Sequence, residues 1–184
     1  MHYSSSMPVF IALIRGINVG GHKKVRMVDL KASCEAMGLR DVRTHLQSGH
    51  VVFKTAKSTR APLAKELEAV LGVEAKVILR NADELRRIIE ANPMPEEAQR
   101  GPSHYIVTFL DARPAAAAMQ SLRDAYSGPE KMELRGTELY IEYGSGMGQS
   151  KLTNALIERK LGVTGTARNW NTVTKLLEIA EALR

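Results

Sequence analysis

Four short runs hold most of the residues in this chain that could do chemistry. They are Arg15-Gly-Ile-Asn-Val-Gly-Gly21, Gln47-Ser-Gly-His50, Gly144-Ser-Gly-Met-Gly-Gln-Ser-Lys-Leu-Thr153 and Thr166-Ala-Arg-Asn-Trp-Asn-Thr172. In the first, glycines let successive backbone N–H groups converge on an anion, Gly20 and Gly21 closing the turn and Asn18 adding an amide. Arg15 adds a two-pronged fork and Lys24 a point charge. The spacing of Gly16, Gly20 and Gly21 does not fit the dinucleotide fingerprint. The alternative for this run is a plain glycine turn with Arg15 in a structural ion pair.

The second run adds the hydroxyl of Ser48. In the third, Ser150 reads as the N-cap of a helix with Lys151 in its first turn. A helix start offers free N–H groups and partial positive charge to phosphate or carboxylate. The Gly-Lys-Ser/Thr order of a nucleotide triphosphate loop is absent. In the fourth, Arg168 and Asn169 are donors, and Trp170, the only tryptophan, stacks on a base or anchors the loop from beneath. Asn171 or Thr172 is equally suited to capping the final helix.

These runs are rich in donors and poor in bases. His22, His45, His50 and His104 lack metal-ligand spacing, no Gly-x-Ser-x-Gly elbow occurs, and no carboxylate pair stands beside the runs. The composition favours holding an anion over moving a proton, and it calls for no cofactor, metal or catalytic residue.

The bulk composition suits this reading. The 184 residues carry a net charge of +6. Residues 1–80 have 13 Lys and Arg against 6 Asp and Glu, and the remainder 13 against 14, so the excess positive charge lies in the first half. That asymmetry suits phosphate, or simply a solvated face. The single cysteine, Cys34, falls on the helical stripe Met27, Leu30, Cys34, Met37 and reads as a core thiol. No apolar run is long enough to span a membrane, and residues 1–7, read as a disordered start or vector remnant, lack a signal-peptide core. The expectation is a cytoplasmic protein.

The elements that must position the runs can be read from periodicity. Val9–Ile14 is wholly apolar, as in a central strand. A helix follows from Met27 to Met37, stopped at Gly38. A hairpin pairs Val42–Gln47 with His50–Lys54, a helix carries Leu63, Leu67, Val70 and Leu71 up to Gly72, and a strand spans Glu74–Leu79. This order is βαββαβ. Asn81 caps a helix with Leu85, Ile88 and Ile89, and residues 92–102 read as a Pro-rich linker. The order then recurs: strand His104–Leu110, helix Pro114–Ala125, hairpin Lys131–Arg135 with Glu138–Tyr143, helix Lys151–Leu161, and strand Val163–Arg168. A last amphipathic helix carries Val173, Leu176, Leu177, Ala180 and Leu183. The sequence thus predicts an α+β fold of two ferredoxin-like βαββαβ halves joined by a helix and a Pro-rich linker, with an extra C-terminal helix. The boundaries are 8–80, 81–102 and 103–184.

Ala12–Gly21, Val42–Phe53, Ser150–Asn154 and Thr166–Leu176, in that order, resemble the domain of unknown function 1697 family of bacterial proteins over nearly the whole chain from Met7. His50 stands where that family usually has Asn, and Arg26 where it often has Pro. The resemblance implies the same two-half α+β fold and no activity.

Three functional readings remain. The first is a non-enzymatic binder of a phosphate-bearing ligand, a nucleotide or other phosphorylated small molecule, using the donors named above. Nucleic acid is less suited, given only 5% aromatic residues. The second is an enzyme on a small anionic metabolite with His45 or His50 as base. The third is an interaction module without ligand.

Overall fold

The computed structural model describes residues 7–16, 25–45, 49–57, 59–71 and 75–184. Of the expected features, Asn18, Gly20, Gly21, His22, Lys24, Ser48, Gly72 and Glu74 lie outside these residues, as does the reading of residues 1–6. The chain divides into two compact units: one runs up to Arg87 and takes in Lys175–Arg184, and the other spans Ile88–Thr174. The last ten residues thus group with the first unit, whereas the sequence boundaries group them with the second half.

The first unit holds β1 (Val9–Arg15), α1 (Met27–Ala36), β2 (Arg40–His45), β3 (His50–Lys54), α2 (Arg60–Leu71) and β4 (Lys76–Asn81). Its four strands form one antiparallel sheet in the order β2-β3-β1-β4. The unbroken apolar run of β1 is explained by that order: β1 is flanked by β3 and β4, and Val9 to Ile14 are all buried. Phe10, Ala12 and Ile14 project to one face, where they pack with Leu30 and Cys34 of α1 and Leu63 and Leu67 of α2. Burial pushes the Cys34 thiol up to about 11, as befits a packed core group. Gly38, at φ 83°, ends the turn after α1. The strand β4 extends to Asn81, beyond the expected end at Leu79, because Asn81 both pairs with Phe10 and caps the next helix. Its side-chain oxygen accepts from the Glu84 N–H and the Glu84 carboxylate accepts from the Asn81 N–H, each at 2.8 Å, a closed capping box.

That helix is α3 (Ala82–Glu90). The segment read as a linker contains a further helix, α4 (Pro95–Arg100), with Pro at its first position and Glu96 and Glu97 in its first turn. Both are helix-start features, since proline lacks only an N–H that would be unpaired there anyway.

The second unit repeats the order with β5 (Tyr105–Leu110), α5 (Ala118–Ala125), β6 (Lys131–Arg135), β7 (Glu138–Glu142), α6 (Asn154–Leu161) and β8 (Gly165–Asn169). The sheet runs β6-β7-β5-β8, matching the first strand for strand. Ile106 and Leu110 of β5, Leu139 and Ile141 of β7 and Ala167 of β8 pack with Leu122 of α5 and Ile157 and Leu161 of α6. Two helix starts differ from expectation. The helix α5 opens at Ala118 and not at Pro114, because the chain first makes a tight turn, with Ala118 N–H donating to Ala115 O at 2.9 Å. The helix α6 opens at Asn154 and not at Lys151, because its cap is Thr153, whose hydroxyl accepts from the Leu156 N–H at 3.2 Å. The final helix, α7 (Trp170–Glu181), begins in the second unit and ends in the first. Among the described residues, no helix is long and apolar enough to cross a membrane.

Candidate functional site

In the second unit the turn between α5 and β6 and the loop between β7 and α6 face each other across an open cleft of about 800 Å³. The cleft is positioned by the sheet and by a buried tyrosine. The loop leaves the end of β7, beside the start of β5, where His104 Nδ1 lies 3.2 Å from Gly144 O. Tyr143, fully buried, donates its hydroxyl to Leu152 O at 2.9 Å and so closes the loop across its base. Within it Gly146 adopts φ 92° and ψ 145°, a conformation open almost only to glycine. A 3₁₀ turn at Met147–Gln149 follows.

The opposite wall is tied to this loop through Glu130. Its carboxylate accepts from Ser150 Oγ at 2.5 Å and from the Tyr126 hydroxyl. Desolvation works to raise the Glu130 carboxyl, but these two hydrogen bonds and one from the backbone together hold it below its ordinary value. The turn sits so close to Tyr126 that a Cβ on Gly128 would lie 2.0 Å from the tyrosine oxygen. Only glycine lets the ring lie over that backbone.

Ser150 is therefore a bridging residue and not the N-cap expected of it. Besides donating to Glu130 it accepts from the Leu152 N–H at 3.0 Å, a side-chain turn that competes with helix entry. Lys151 lines the cleft, is exposed, and makes no ion pair among the described residues. The backbone N–H groups of Met147, Gly148 and Lys151 likewise have no hydrogen-bond partner among those residues.

The other expected site residues lie elsewhere. Arg15 ends β1 in the first unit and is half-buried. Arg168 follows Ala167, which packs on the helix side of the sheet, so strand alternation sends Arg168 to the opposite face from α5 and α6. Its guanidinium donates to Thr166 Oγ1 and Ala167 O, each at 2.7 Å, and loss of water pushes it down to about 10. The Asn169 side chain accepts from the Thr172 N–H at 2.9 Å, so Asn169 caps α7 in place of Asn171 or Thr172. Trp170 packs edge-on against Tyr105 with ring centroids 5.5 Å apart. None of these three lines the cleft. In the first unit His50 is fully buried, its Nδ1 2.9 Å from His45 O, and it is not among the residues that line the cleft.

One expectation is overturned: carboxylates do stand beside these loops, since Glu130 and Glu142 both line the cleft. Glu130 lies in Ser127-Gly-Pro-Glu130, where Gly-Pro marks a turn between α5 and β6. Glu142 joins it because β7 pairs with β5 and β6 in a register that sets the end of β7 against Lys131. Nothing in the local sequence reports that pairing. Among the described residues no three His, Cys, Asp or Glu side chains converge as a metal site.

A family model described as "Protein of unknown function (DUF1697)" matches residues 7–140. Among solved structures, the conserved bacterial protein SP0830 from Streptococcus pneumoniae is similar, with a TM-score of 0.70 and 19% identity, covering 95% of this chain and 99% of that one. At this identity the likeness is one of fold. No curated protein matches the chain.

Proposed function

Because the chain belongs to the DUF1697 family, described as of unknown function, we propose from the cleft itself that the protein is a non-enzymatic binder of a phosphate-bearing small molecule. The observation that carries this reading is Lys151: an exposed ammonium without an ion pair among the described residues, lining the cleft together with its own N–H, which has no hydrogen-bond partner among those residues. A single cation with a free backbone amide beside it suits one phosphate group. It does not suit a polynucleotide, whose further phosphates would meet Glu130 and Glu142. A cleft of about 800 Å³ is in the range that small ligands occupy.

The two halves also support an internal duplication. Arg80 and Asn81 pair with Ile11 and Phe10, and Arg168 and Asn169 with Val107 and Ile106. In each case the guanidinium donates to the preceding carbonyl and the asparagine caps the following helix.

The reading is tested by calorimetric titration of the full chain with inorganic phosphate, hexose phosphates and mononucleotides. At least one should bind saturably, and Lys151→Ala should weaken it by roughly tenfold, the worth of an exposed charge-assisted hydrogen bond. Lys175→Ala, on α7 and paired with Glu178, should leave it unchanged. A second reading, an interaction module without ligand, is favoured by the internal hydrogen bonds that already occupy Ser150, Arg168 and Asn169. It gains if no member of the panel gives a binding isotherm.

A further inference from the structure

The cleft carries two charges of opposite sign that do not satisfy each other. Glu142 is half-buried at the end of β7, its carboxylate packed beside Gly144, where a Cβ would lie 3.5 Å from Oε1. The carboxylate itself has no hydrogen bond and no ion pair among the described residues. Its cross-strand neighbours offer none, since Lys131 is engaged by Glu97 at 2.6 Å and Tyr105 donates its hydroxyl to Asn92. Lys151, on the same cleft, is equally unpaired, and no ion pair joins the two. The third charge, Glu130, is already occupied by Ser150 and Tyr126. A carboxylate at an open cleft with no donor from the protein is left to accept from water or from a ligand.

Resting on the phosphate-binding reading above, we propose that the ligand is zwitterionic, a small molecule with a phosphate and an amine. The phosphate meets the Lys151 ammonium and backbone N–H, and the protonated amine meets Glu142. Two separated groups of opposite sign also fix the ligand's direction in the cleft, which a single cation cannot do. A ligand with hydroxyls alone would find an acceptor at Glu142, but it would gain the smaller return of a bond with one charged partner instead of two.

A matched pair of probes separates the two charges. Glucosamine 6-phosphate and glucose 6-phosphate differ only in an amine against a hydroxyl, and both are titrated into the full chain at neutral pH. The amine compound is expected to bind about three- to tenfold more tightly, as for a charged against a neutral partner at a half-exposed carboxylate. Glu142→Gln should abolish that preference while leaving glucose 6-phosphate within about twofold, with an unchanged melting temperature confirming the fold. Equal binding of the two sugars, both weakened by Lys151→Ala, would overturn the amine inference and leave the phosphate reading standing. No binding of either sugar, with other phosphates still bound, would overturn it too. No binding by any phosphate would remove both.

Discussion

At the residue scale, positions that look alike in sequence do different work. Gly146 and Gly148 sit two apart in one loop, yet only Gly146 has a backbone that a side chain resists, while a Cβ on Gly148 meets open space. Gly146→Ala should therefore cost about 1–3 kcal/mol of stability. Gly148→Ala should be neutral or gain up to about 1 kcal/mol by restricting the unfolded chain. Urea denaturation of the two variants side by side checks this, and equal effects would contradict the assigned loop conformation. The same scale explains why Ser150 is not the helix cap. Serine followed by Lys-Leu-Thr offers two hydroxyls near one helix start, and the choice between them fell to Glu130, twenty residues earlier, which draws Ser150 away.

At the element scale, the cleft depends on how β7 hands over to its loop. Tyr143 is the hinge of that handover, buried and bonded to Leu152 O. Tyr143→Phe keeps the ring but orphans a buried carbonyl, so it should destabilise by about 1–3 kcal/mol. It should also weaken any ligand whose phosphate rests on Lys151, since the loop loses its closure. Measuring stability and affinity on the same variant distinguishes the two effects, and a stability loss without any affinity loss would show that the loop holds its shape without the tyrosine. Elements themselves were mostly legible. An all-apolar run gave β1, and alternating segments around Gly136-Thr137 gave the β6–β7 hairpin within a residue. The differences came where local signals have two meanings, as in Pro95, which falls in the expected Pro-rich linker but opens α4.

At the scale of the whole molecule, the C-terminal residues return to the first unit. Arg184 and Arg86 both bond the Asp83 carboxylate, and Arg86 also bonds Glu181. The hydrogen bond from Arg184, the largest influence, and that from Arg86 hold the Asp83 carboxyl below its ordinary 3.8. A carboxyl depressed by folding stabilises the fold above its unfolded value, and that contribution fades as pH falls through the folded value. Asp83→Asn should accordingly lower the melting temperature at pH 7, and the gap should close as the pH falls below about 3.8. The exposed position of these groups makes the effect modest and sensitive to salt. A gap that persists unchanged into acid would show that Asp83 acts through packing and not charge.

The sequence by itself determined the α+β class, the two βαββαβ halves, the core thiol and the capping asparagine at Asn81, because each of these is written in local periodicity or in residues three or four apart. It also marked the Gly144–Thr153 run as a place of interest. Only the tertiary structure decided what that run encloses. Strand pairing brought Glu142 and the Ser127–Glu130 turn beside it, while Arg168 was drawn into hydrogen bonds with Thr166 and Ala167. Contacts of that kind depend on register between segments far apart in the chain, and a one-residue shift in register would reverse every side chain involved.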